Sequence, residues 1–390
     1  MLTSISIIIL LGLSLGKIFN NLKLPSLLGY ILTGIVLSPY AMNLIDTSLL
    51  NIAPQLRQIA LVIILTRAGL SLNINTLKKV GRPALLMCFL PACFEILSVI
   101  VIGPLLFGIT IVEAAIVGSV IAAVSPAIIV PRMINLIEEG YGEKHSIPQL
   151  VLAGASVDDV FVIVVFTAMT ALEASGEFTA LSFVKIPISI VSGIIVGAIV
   201  GIVLVQLFKK NHIRDTIKVL IIISISFLLL ELENSISDYI PISGLLAIMS
   251  MGVIIKLNYE ILAERIQTKY NKLWAGAEIM LFVLVGATVN MKYVADAGIL
   301  TVIMILAALV FRMIGVFVCL IKTELTMKEK IFCMIAYTPK ATVQAGIGAV
   351  PLAMGLNCGQ MVLTIAVMSI IITAPFGAIA IDKTYKKLLK

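Results

Sequence analysis

Long apolar runs, separated by short polar or charged segments, follow one another along almost the whole chain. A run of about 20 apolar residues has the length that an α-helix needs to cross the hydrocarbon core of a bilayer. The pattern therefore predicts about thirteen membrane-spanning helices. We place them at residues 2–18, 25–37, 55–70, 83–107, 111–133, 147–172, 186–208, 217–232, 243–256, 273–289, 297–321, 330–351 and 360–381.

The overall composition supports this interpretation. Of the 390 residues, 60% are hydrophobic and 13% are charged, and the mean hydropathy is +1.15. Soluble domains carry about 25% charged residues, so this chain has too little polar surface for water. The composition also excludes disorder, a coiled coil, collagen and a disulfide scaffold. We interpret the five cysteines as small core residues rather than disulfide partners or metal ligands: Cys88, Cys93, Cys319, Cys333 and Cys358.

The basic residues predict the orientation of the chain. With thirteen spans and a cytoplasmic C-terminus, 22 of the 28 Lys and Arg residues fall in cytoplasmic segments. The outer loops hold only Arg57, Lys185 and Lys292. Cytoplasmic loops of membrane proteins are enriched in Lys and Arg, so we expect the N-terminus outside and the C-terminus inside. The same rule accounts for the net charge of +7 without a nucleic-acid partner.

Two halves of the chain carry similar short motifs. Ala123-Val-Ser-Pro-Ala-Ile-Ile-Val and Ala336-Tyr-Thr-Pro-Lys-Ala-Thr-Val share a pattern and start 213 residues apart. Gly69-Leu-Ser and Gly286-Ala-Thr lie 217 residues apart. This offset equals seven predicted spans, an odd number, so the second copy would be inverted in the membrane. We predict a first repeat at 1–182, a linker helix at 183–212 and a second repeat at 213–390.

The two copies of the first motif place a proline in the middle of a span. Ser125-Pro126 and Thr338-Pro339 occupy equivalent positions in the predicted repeats. A proline inside a helix removes one backbone hydrogen bond, and irregular backbone at membrane depth is tolerated where it is buried or lines a wet cavity. A single proline of this kind is equally well explained by a simple helix kink. Two prolines at equivalent positions predict a transporter site built from crossed broken helices.

Charged residues inside the predicted spans point to the same kind of site. Asp158 and Asp159 follow Ser156 and precede a strongly apolar run, although one aspartate at a helix centre costs about 2.5–3.5 kcal/mol. Adjacent helix positions point about 100° apart, so one aspartate can face an ion path while the other holds a neighbouring helix. A carboxylate there can release a proton or bind a small cation. A purely structural pair is the alternative.

Three of the other charges in the predicted spans bear on the site, and each has a structural alternative. Glu95 and Arg312 lie in the middle of spans that correspond in the two repeats, and we predict an ion pair between them, with a purely stabilising role as the alternative. Lys340 follows Pro339, where a cation would offset exposed carbonyl ends. The alternative for Lys340 is a long side chain whose charged end reaches the membrane interface. We interpret Arg67 in this second way.

Taken together, these residues resemble the cation/proton antiporter superfamily, in particular sodium/proton antiporters of the NhaA and NapA type. The similarity is greatest to the NHA subfamily and extends over nearly the whole chain. The strings that carry it are Thr66-Arg-Ala-Gly-Leu, Val124-Ser-Pro-Ala, Gly140-Tyr-Gly, Val157-Asp-Asp and Thr338-Pro-Lys-Ala-Thr-Val-Gln-Ala.

The resemblance implies an all-α polytopic membrane protein with two inverted-topology repeats, the NhaA-like antiporter fold. It implies a core domain for ion transport formed by 83–172 and 297–381, a scaffold and dimer domain formed by the remaining helices, and a homodimer with elevator-like alternating access. The expected setting is a cell membrane, the bacterial plasma membrane. The transported ions would be Na⁺ or Li⁺ and H⁺, with no cofactor.

Residue by residue, the resemblance assigns the alternating binding of sodium and proton to Asp159, with Asp158 as its neighbour. Ser125, Pro126, Ser156, Thr338, Pro339 and Lys340 would support the site. One position departs from the pattern, because many electrogenic members carry a lysine where this chain has Arg312. Arginine does not release its proton in proteins, so we expect electroneutral or weakly electrogenic exchange.

Other functions fit the sequence less well. A potassium exchanger or efflux system of the Kef type usually adds a soluble nucleotide-binding domain after its last span, where this chain has nine residues. A sodium-coupled symporter of related fold is the second alternative. An intramembrane aspartyl protease needs its aspartates on separate helices. Motifs for ATP hydrolysis and for hydrolase catalysis are absent from the sequence, so we do not expect an enzyme.

Overall fold

The computed structural model of the chain describes residues 1–71, 81–175, 180–236, 241–289 and 291–389. Within these ranges the protein is built from helices and their connections, without a β-strand. The α-helices are α1 Leu2–Asn21, α2 Ser26–Leu37, α3 Thr47–Asn51, α4 Ala53–Ser71, α5 Arg82–Met87, α6 Leu90–Phe107, α7 Ile111–Ala122, α8 Pro126–Glu138, α9 Ile147–Ser175, α10 Ala180–Lys210, α11 Asp215–Ile236, α12 Gly244–Asn258, α13 Glu260–Ala287, α14 Met291–Cys319, α15 Met327–Ala336, α16 Thr342–Ile347, α17 Val350–Ala353 and α18 Gly359–Leu388.

Seven of these helical stretches are long and apolar enough to cross a membrane, as judged by length and composition over the described residues. Each of the thirteen predicted spans overlaps a helix or a set of consecutive helices. The number of crossings and the inverted repeats remain predictions. The seven stretches are Leu2–Asn21, Arg82–Phe107, Ile111–Glu138, Ile147–Ala174, Pro187–Lys210, Gly298–Cys319 and Gly359–Leu388.

The chain divides into two compact units. The first contains Met1–Arg57, Asn73–Val162 and Ile279–Lys390, and the second contains Gln58–Leu72 and Ile163–Glu278. The domain boundaries predicted from the sequence are not tested by this division and remain predictions. All of the predicted ion-site residues belong to the first unit.

Two of the predicted spans are broken at their proline motifs. After α7 ends, Ala123 and Ser125 have extended backbone, and α8 begins with Pro126. A residue before proline is pushed out of the helical region, and proline is well suited to a first helical position because its missing N–H needs no partner there. In the second case, residues 337–341 separate α15 from α16, and Pro339 lies within this non-helical segment.

The predicted span 83–107 is also interrupted, which the sequence analysis did not anticipate. It consists of α5 and α6, with Phe89 between them at φ −146° and ψ −34°. Pro91 lies in the first turn of α6. Because Pro91 has no N–H to donate, it is well suited to the first turn of a helix, where N–H groups lack helical partners.

In the second unit, glycines at every fourth position of α10 permit close helix packing. A Cβ added at Gly193, Gly197 or Gly201 would lie 2.6, 2.2 or 2.9 Å from its nearest neighbour atom on α12 or at its start. Small residues spaced in this way let two helix backbones approach in a membrane, where there is no hydrophobic drive between helices.

Several basic residues bear on the predicted orientation. Arg57, placed in an outer loop from the sequence, lies in the first turns of α4 with 5% exposure and donates to Thr288 Oγ1 at 3.3 Å. The guanidinium of Arg67 lies 5.3 Å from the ring centroid of Trp274, so it makes a cation–π contact. Of the lysines used to predict the orientation, Lys78, Lys79 and Lys390 lie outside the described residues. The side chains of Lys185 and Lys292 lie outside them as well.

Candidate functional site

The two broken helices meet in the first unit. The backbone N–H of Ser125 donates to the carbonyl of Pro339 at 2.8 Å, so the two proline segments are in direct contact. The backbone N–H of Lys340 donates to Thr373 Oγ1 on α18 at 3.0 Å. Gly377 leaves room on α18, since a Cβ there would lie 2.5 Å from Pro339 Cγ. A third helix thus supports the second break.

Arg312 lies at the centre of the charged residues and is fully buried. Its Nη1 is 2.9 Å from Glu95 Oε2, and its Nη2 is 2.9 Å from Asp158 Oδ2. Its Nε donates to the carbonyl of Tyr337 at 2.7 Å, and Nη1 also donates to the carbonyl of Ala122. The planar guanidinium therefore joins α6, α7, α9 and the second break. The structure thus brings Glu95 and Arg312, predicted as an ion pair, into contact.

Lys340 is also fully buried and enters the same cluster. Its Nζ lies 2.7 Å from Glu95 Oε1 and donates to the carbonyl of Ile121 near the end of α7. Glu95 therefore bridges Arg312 and Lys340 with its two oxygens. This position is the one expected for a cation that offsets exposed helix carbonyls, rather than for a lysine at the membrane interface.

The predicted aspartates lie on α9 beside the first break. Asp158 is fully buried, and its Oδ2 accepts from the Val124 backbone N–H at 2.9 Å as well as from Arg312. Asp159 is the next residue and has 8% exposure. Successive helix positions differ by about 100°, so Asp159 projects from a different side of α9. Ser156 lies in the same helix, and its side chain is outside the described part of the structure.

Sequence reasoning missed Gln344. Its side chain is fully buried on α16, and Nε2 donates to the carbonyl of Ala123 at 2.7 Å. The last carbonyls of a helix have no partner within the helix and need donors from elsewhere. Here Lys340, Arg312 and Gln344 supply donors to three successive carbonyls, those of Ile121, Ala122 and Ala123. Gln344 lies within one of the strings that carry the family resemblance, but nothing in the sequence identified its partner.

Tyr337 was missed as well, although it directly precedes the Thr338-Pro339 pair. It is fully buried, and the Arg312 guanidinium lies 5.5 Å from its ring centroid. Its hydroxyl occupies space that Gly154 leaves open on α9, because a Cβ at Gly154 would lie 2.0 Å from that oxygen. Gly154 is one helical turn before Asp158, so this contact helps to fix α9 against the break.

Several buried oxygens at the crossing have no hydrogen-bond donor among the described residues: Ser125 Oγ, Asp158 Oδ1, Tyr337 OH and Gln344 Oε1. Hard cations prefer oxygen ligands, and a buried oxygen without a partner is costly. Together with the aspartates, this arrangement can accept a small cation or a proton.

Comparisons with known proteins identify the family of the chain. The sodium/hydrogen exchanger family, described as transmembrane, matches residues 5–386. Sodium/hydrogen exchanger 9B2 of Xenopus tropicalis is 31% identical in an alignment that covers 96% of this chain and 72% of that protein. Sodium/hydrogen exchanger 9B1 of Homo sapiens is 29% identical, over 96% of this chain and 75% of that protein.

The fold is also similar to a solved structure. The sodium proton antiporter MjNhaP1 from Methanocaldococcus jannaschii at pH 8 aligns with a TM-score of 0.85. The alignment covers 100% of this chain and 98% of that one, at 18% sequence identity. With the long apolar helices, these matches establish a multi-pass membrane protein. The chain belongs to the sodium/hydrogen exchanger family, within the cation/proton antiporter superfamily.

Proposed function

We propose that this protein is a secondary active antiporter that exchanges Na⁺ or Li⁺ for H⁺ at Asp159. Family membership supports cation/proton exchange, and the site supports the choice of residue. In this mechanism the carboxylate of Asp159 binds either the cation or the proton, so the two ions compete for one group. Alternate exposure of this group to the two sides of the membrane then couples their movements.

The observation that carries the proposal is the charge balance of the buried network that contains Asp158, the chain neighbour of Asp159. Glu95, Asp158, Arg312 and Lys340 are all fully buried and contact one another in a single network. The two carboxylates and the two cations have a formal net charge of zero. All four groups can therefore stay ionised throughout the transport cycle. Breaking a buried pair is strongly destabilising, which favours a network that stays intact. We therefore assign the exchange to Asp159 and a holding role to Asp158.

In this proposal the crossed breaks supply neutral ligands for the cation. Helix ends carry partial charges, and unwound carbonyls in transporters coordinate cations. Asp158 fixes the first break through the Val124 N–H, and Ser125 carries a buried hydroxyl oxygen in the same segment. We assign supporting roles to Ser125, Pro126, Ser156, Thr338, Pro339 and Lys340.

For alternating access we propose an elevator-like movement. The moving core would comprise residues 83–172 and 297–381, with the remaining helices as scaffold and dimer contact in a homodimer. The expected setting is a bacterial plasma membrane with the C-terminus in the cytoplasm. Rigid-body movement of one bundle around a fixed site is a common solution in transporters with inverted repeats.

The test is ion flux in proteoliposomes that contain the purified protein and an internal pH-sensitive dye. An outward sodium gradient should drive proton uptake, and lithium should replace sodium. Flux driven by potassium but not by sodium would favour the Kef-type alternative. Sodium uptake without proton movement would favour a symporter. Either result would contradict the proposal.

A further inference from the structure

The extended segment from Ala123 to Ser125 is held by three different elements. The Ala123 carbonyl accepts from Gln344 Nε2 at 2.7 Å, and the Val124 N–H donates to Asp158 Oδ2 at 2.9 Å. The Ser125 N–H donates to the Pro339 carbonyl at 2.8 Å. Each of the three residues thus has one long-range backbone contact. Together the three contacts determine where the segment lies beside the aspartates.

Gln344 differs from the other donors at the end of α7 because it is neutral. Lys340 and Arg312 hold the two preceding carbonyls and also pair with carboxylates. The amide of Gln344 is fully buried, and its Oε1 has no hydrogen-bond donor within the described ranges. Its one strong contact, with the Ala123 carbonyl, therefore acts on the geometry of the break without changing the charge of the site.

We propose that Gln344 is a positioning residue that sets the cation affinity of the antiporter. It acts through Ala123: by holding this carbonyl it keeps Val124 and Ser125 against Asp158 and in reach of a bound cation. This inference rests on the proposed exchange at Asp159. Loss of the amide would let the segment shift and weaken cation binding, while the charges that set stoichiometry remain in place.

The test compares Gln344→Met, which keeps the length of the side chain but removes the donor, with the wild type in proteoliposomes. We expect the half-saturating sodium concentration to rise about tenfold, the change that corresponds to one hydrogen bond of about 1.4 kcal/mol. The maximal rate should stay within about twofold. Ser369→Ala is the matched control, because that buried hydroxyl donates only within its own helix, to Ala366 O at 2.7 Å, and we expect it to leave both parameters unchanged.

A binding measurement separates positioning from a general structural role. Sodium stabilises a protein that binds it, so the Tm of the purified wild type should rise with sodium concentration. For Gln344→Met we expect the same curve displaced about tenfold to higher sodium. A lower Tm without sodium, together with an unchanged half-saturating concentration, would overturn the proposal.

Failure of this inference is distinct from failure of the proposed function. If the wild type shows no sodium-driven proton flux, the proposed function is wrong. If the wild type exchanges and Gln344→Met has wild-type sodium affinity, only the role of Gln344 is wrong. Gln344→Asn, which keeps the amide but shortens its reach, should behave like the Met variant. Misfolding of both variants would also contradict the proposal, since Gln344 would then be required for folding.

Discussion

Arg312 and Asp158 form an ion pair in which Nη2 lies 2.9 Å from Oδ2, and neither side chain is exposed. This pair connects the first predicted aspartate to the Glu95–Arg312 pair and, through Glu95, to Lys340. Asp158 is therefore held by two donors, the Arg312 guanidinium and the Val124 N–H. Asp158 thus belongs to the buried network, whereas we propose ion exchange at Asp159, so the two substitutions should have different effects.

We expect Asp159→Asn to abolish sodium-driven proton flux with little change in thermal stability, because asparagine has the same shape but cannot exchange a proton. Asp158→Asn should instead lower the free energy of unfolding by about 3 kcal/mol, since it removes one carboxylate from a buried pair. Flux assays and thermal denaturation of both purified variants would check this. Normal exchange by Asp159→Asn would refute its assignment.

The buried ion pair between Glu95 and Arg312 predicts a strong coupling between the two positions. Arg312→Ala should cost about 3–5 kcal/mol, because two carboxylates lose their partner. The double variant with Glu95→Ala should cost less than the sum of the single variants, by about 0.5–3 kcal/mol. A double-mutant cycle of unfolding free energies measures this difference.

The control for this cycle is the pair of Arg132 with Asp382, whose side chains are 20% and 48% exposed. An exposed pair contributes about 0–1 kcal/mol, so its coupling should be small. Strictly additive losses at Glu95 and Arg312 would be incompatible with the pairing.

Much of this site could be predicted from the sequence because its residues break local rules. Pro126 and Pro339 interrupt apolar runs, and Asp158, Glu95 and Arg312 are costly in a membrane. Each of these features is visible without knowledge of the fold. The similar offsets of two motif pairs, 213 and 217 residues, also indicated that the breaks belong together.

The remaining contacts depend on distant parts of the chain meeting in three dimensions. Gln344 lies 221 residues from Ala123, and Arg312 lies 154 residues from Asp158. A glutamine after a broken helix violates no local rule, so it gave no signal. The interruption at Phe89 was missed for another reason: the apolar pattern is continuous there, and Pro91 alone did not distinguish a break from a kink.

The close approach of Gly154 to Tyr337 predicts a steric effect. In Gly154→Ala, the new Cβ would lie 2.0 Å from the tyrosine hydroxyl oxygen, which requires a shift of a buried ring. We expect a loss of about 1–3 kcal/mol in unfolding free energy. Tyr337→Phe should restore part of this loss in the double variant, because it removes the nearest atom, whereas Met87 Cβ would still lie 2.9 Å from the new Cβ.

Gly276→Ala is a matched control, since no atom lies within 4 Å of a Cβ at that helical position. Alanine favours a helix over glycine by about 1 kcal/mol, so this variant should be as stable as the wild type or more stable. Thermal denaturation of the four variants tests the steric explanation, which fails if Tyr337→Phe gives no rescue.

At the start of α15, before the predicted span at 330, Glu329 gives a pH-dependent contribution to stability. Its Oε1 lies 2.9 Å from His145 Nδ1, and its Oε2 accepts from the Thr326 N–H at 2.6 Å and from the Thr326 hydroxyl at 2.9 Å. Burial alone would raise the pKa of this carboxyl, but these hydrogen bonds lower it below its ordinary value of 4.5.

A carboxyl whose pKa is lowered by folding stabilises the protein above its unfolded pKa, and this stabilisation is lost as the pH falls through the folded pKa. Glu329→Gln should therefore lower the Tm at pH 7, and the difference from the wild type should shrink below pH 4.5. Glutamine can still close the capping box, so only the charge is removed. Glu113→Gln, in the exposed capping box of α7, is the control. A Tm difference that is constant with pH would contradict the assignment.

The balanced network also predicts the stoichiometry of exchange. An antiporter that moves two protons for each sodium ion needs two groups that load and unload protons. In the proposed mechanism Asp159 is one, and a lysine in the place of Arg312 could be the second, because a buried lysine can release its proton near neutral pH. Arginine cannot do so, and here it is fixed between Glu95 and Asp158. The buried Lys340 is paired with Glu95 at 2.7 Å, and we expect it to keep its proton during the cycle. We therefore expect one proton to leave as one sodium ion binds, with no net movement of charge.

This stoichiometry is measured as sodium-driven proton flux in liposomes whose membrane potential is set by potassium and valinomycin. The sodium gradient at which proton flux vanishes should not depend on the potential. A balance point that shifts with voltage, as a two-for-one exchanger requires, would show that a second group carries protons. Asp158 would then be the candidate for the second proton carrier, since two adjacent carboxylates can titrate as a coupled pair. In that case Asp158→Asn should remove the voltage dependence.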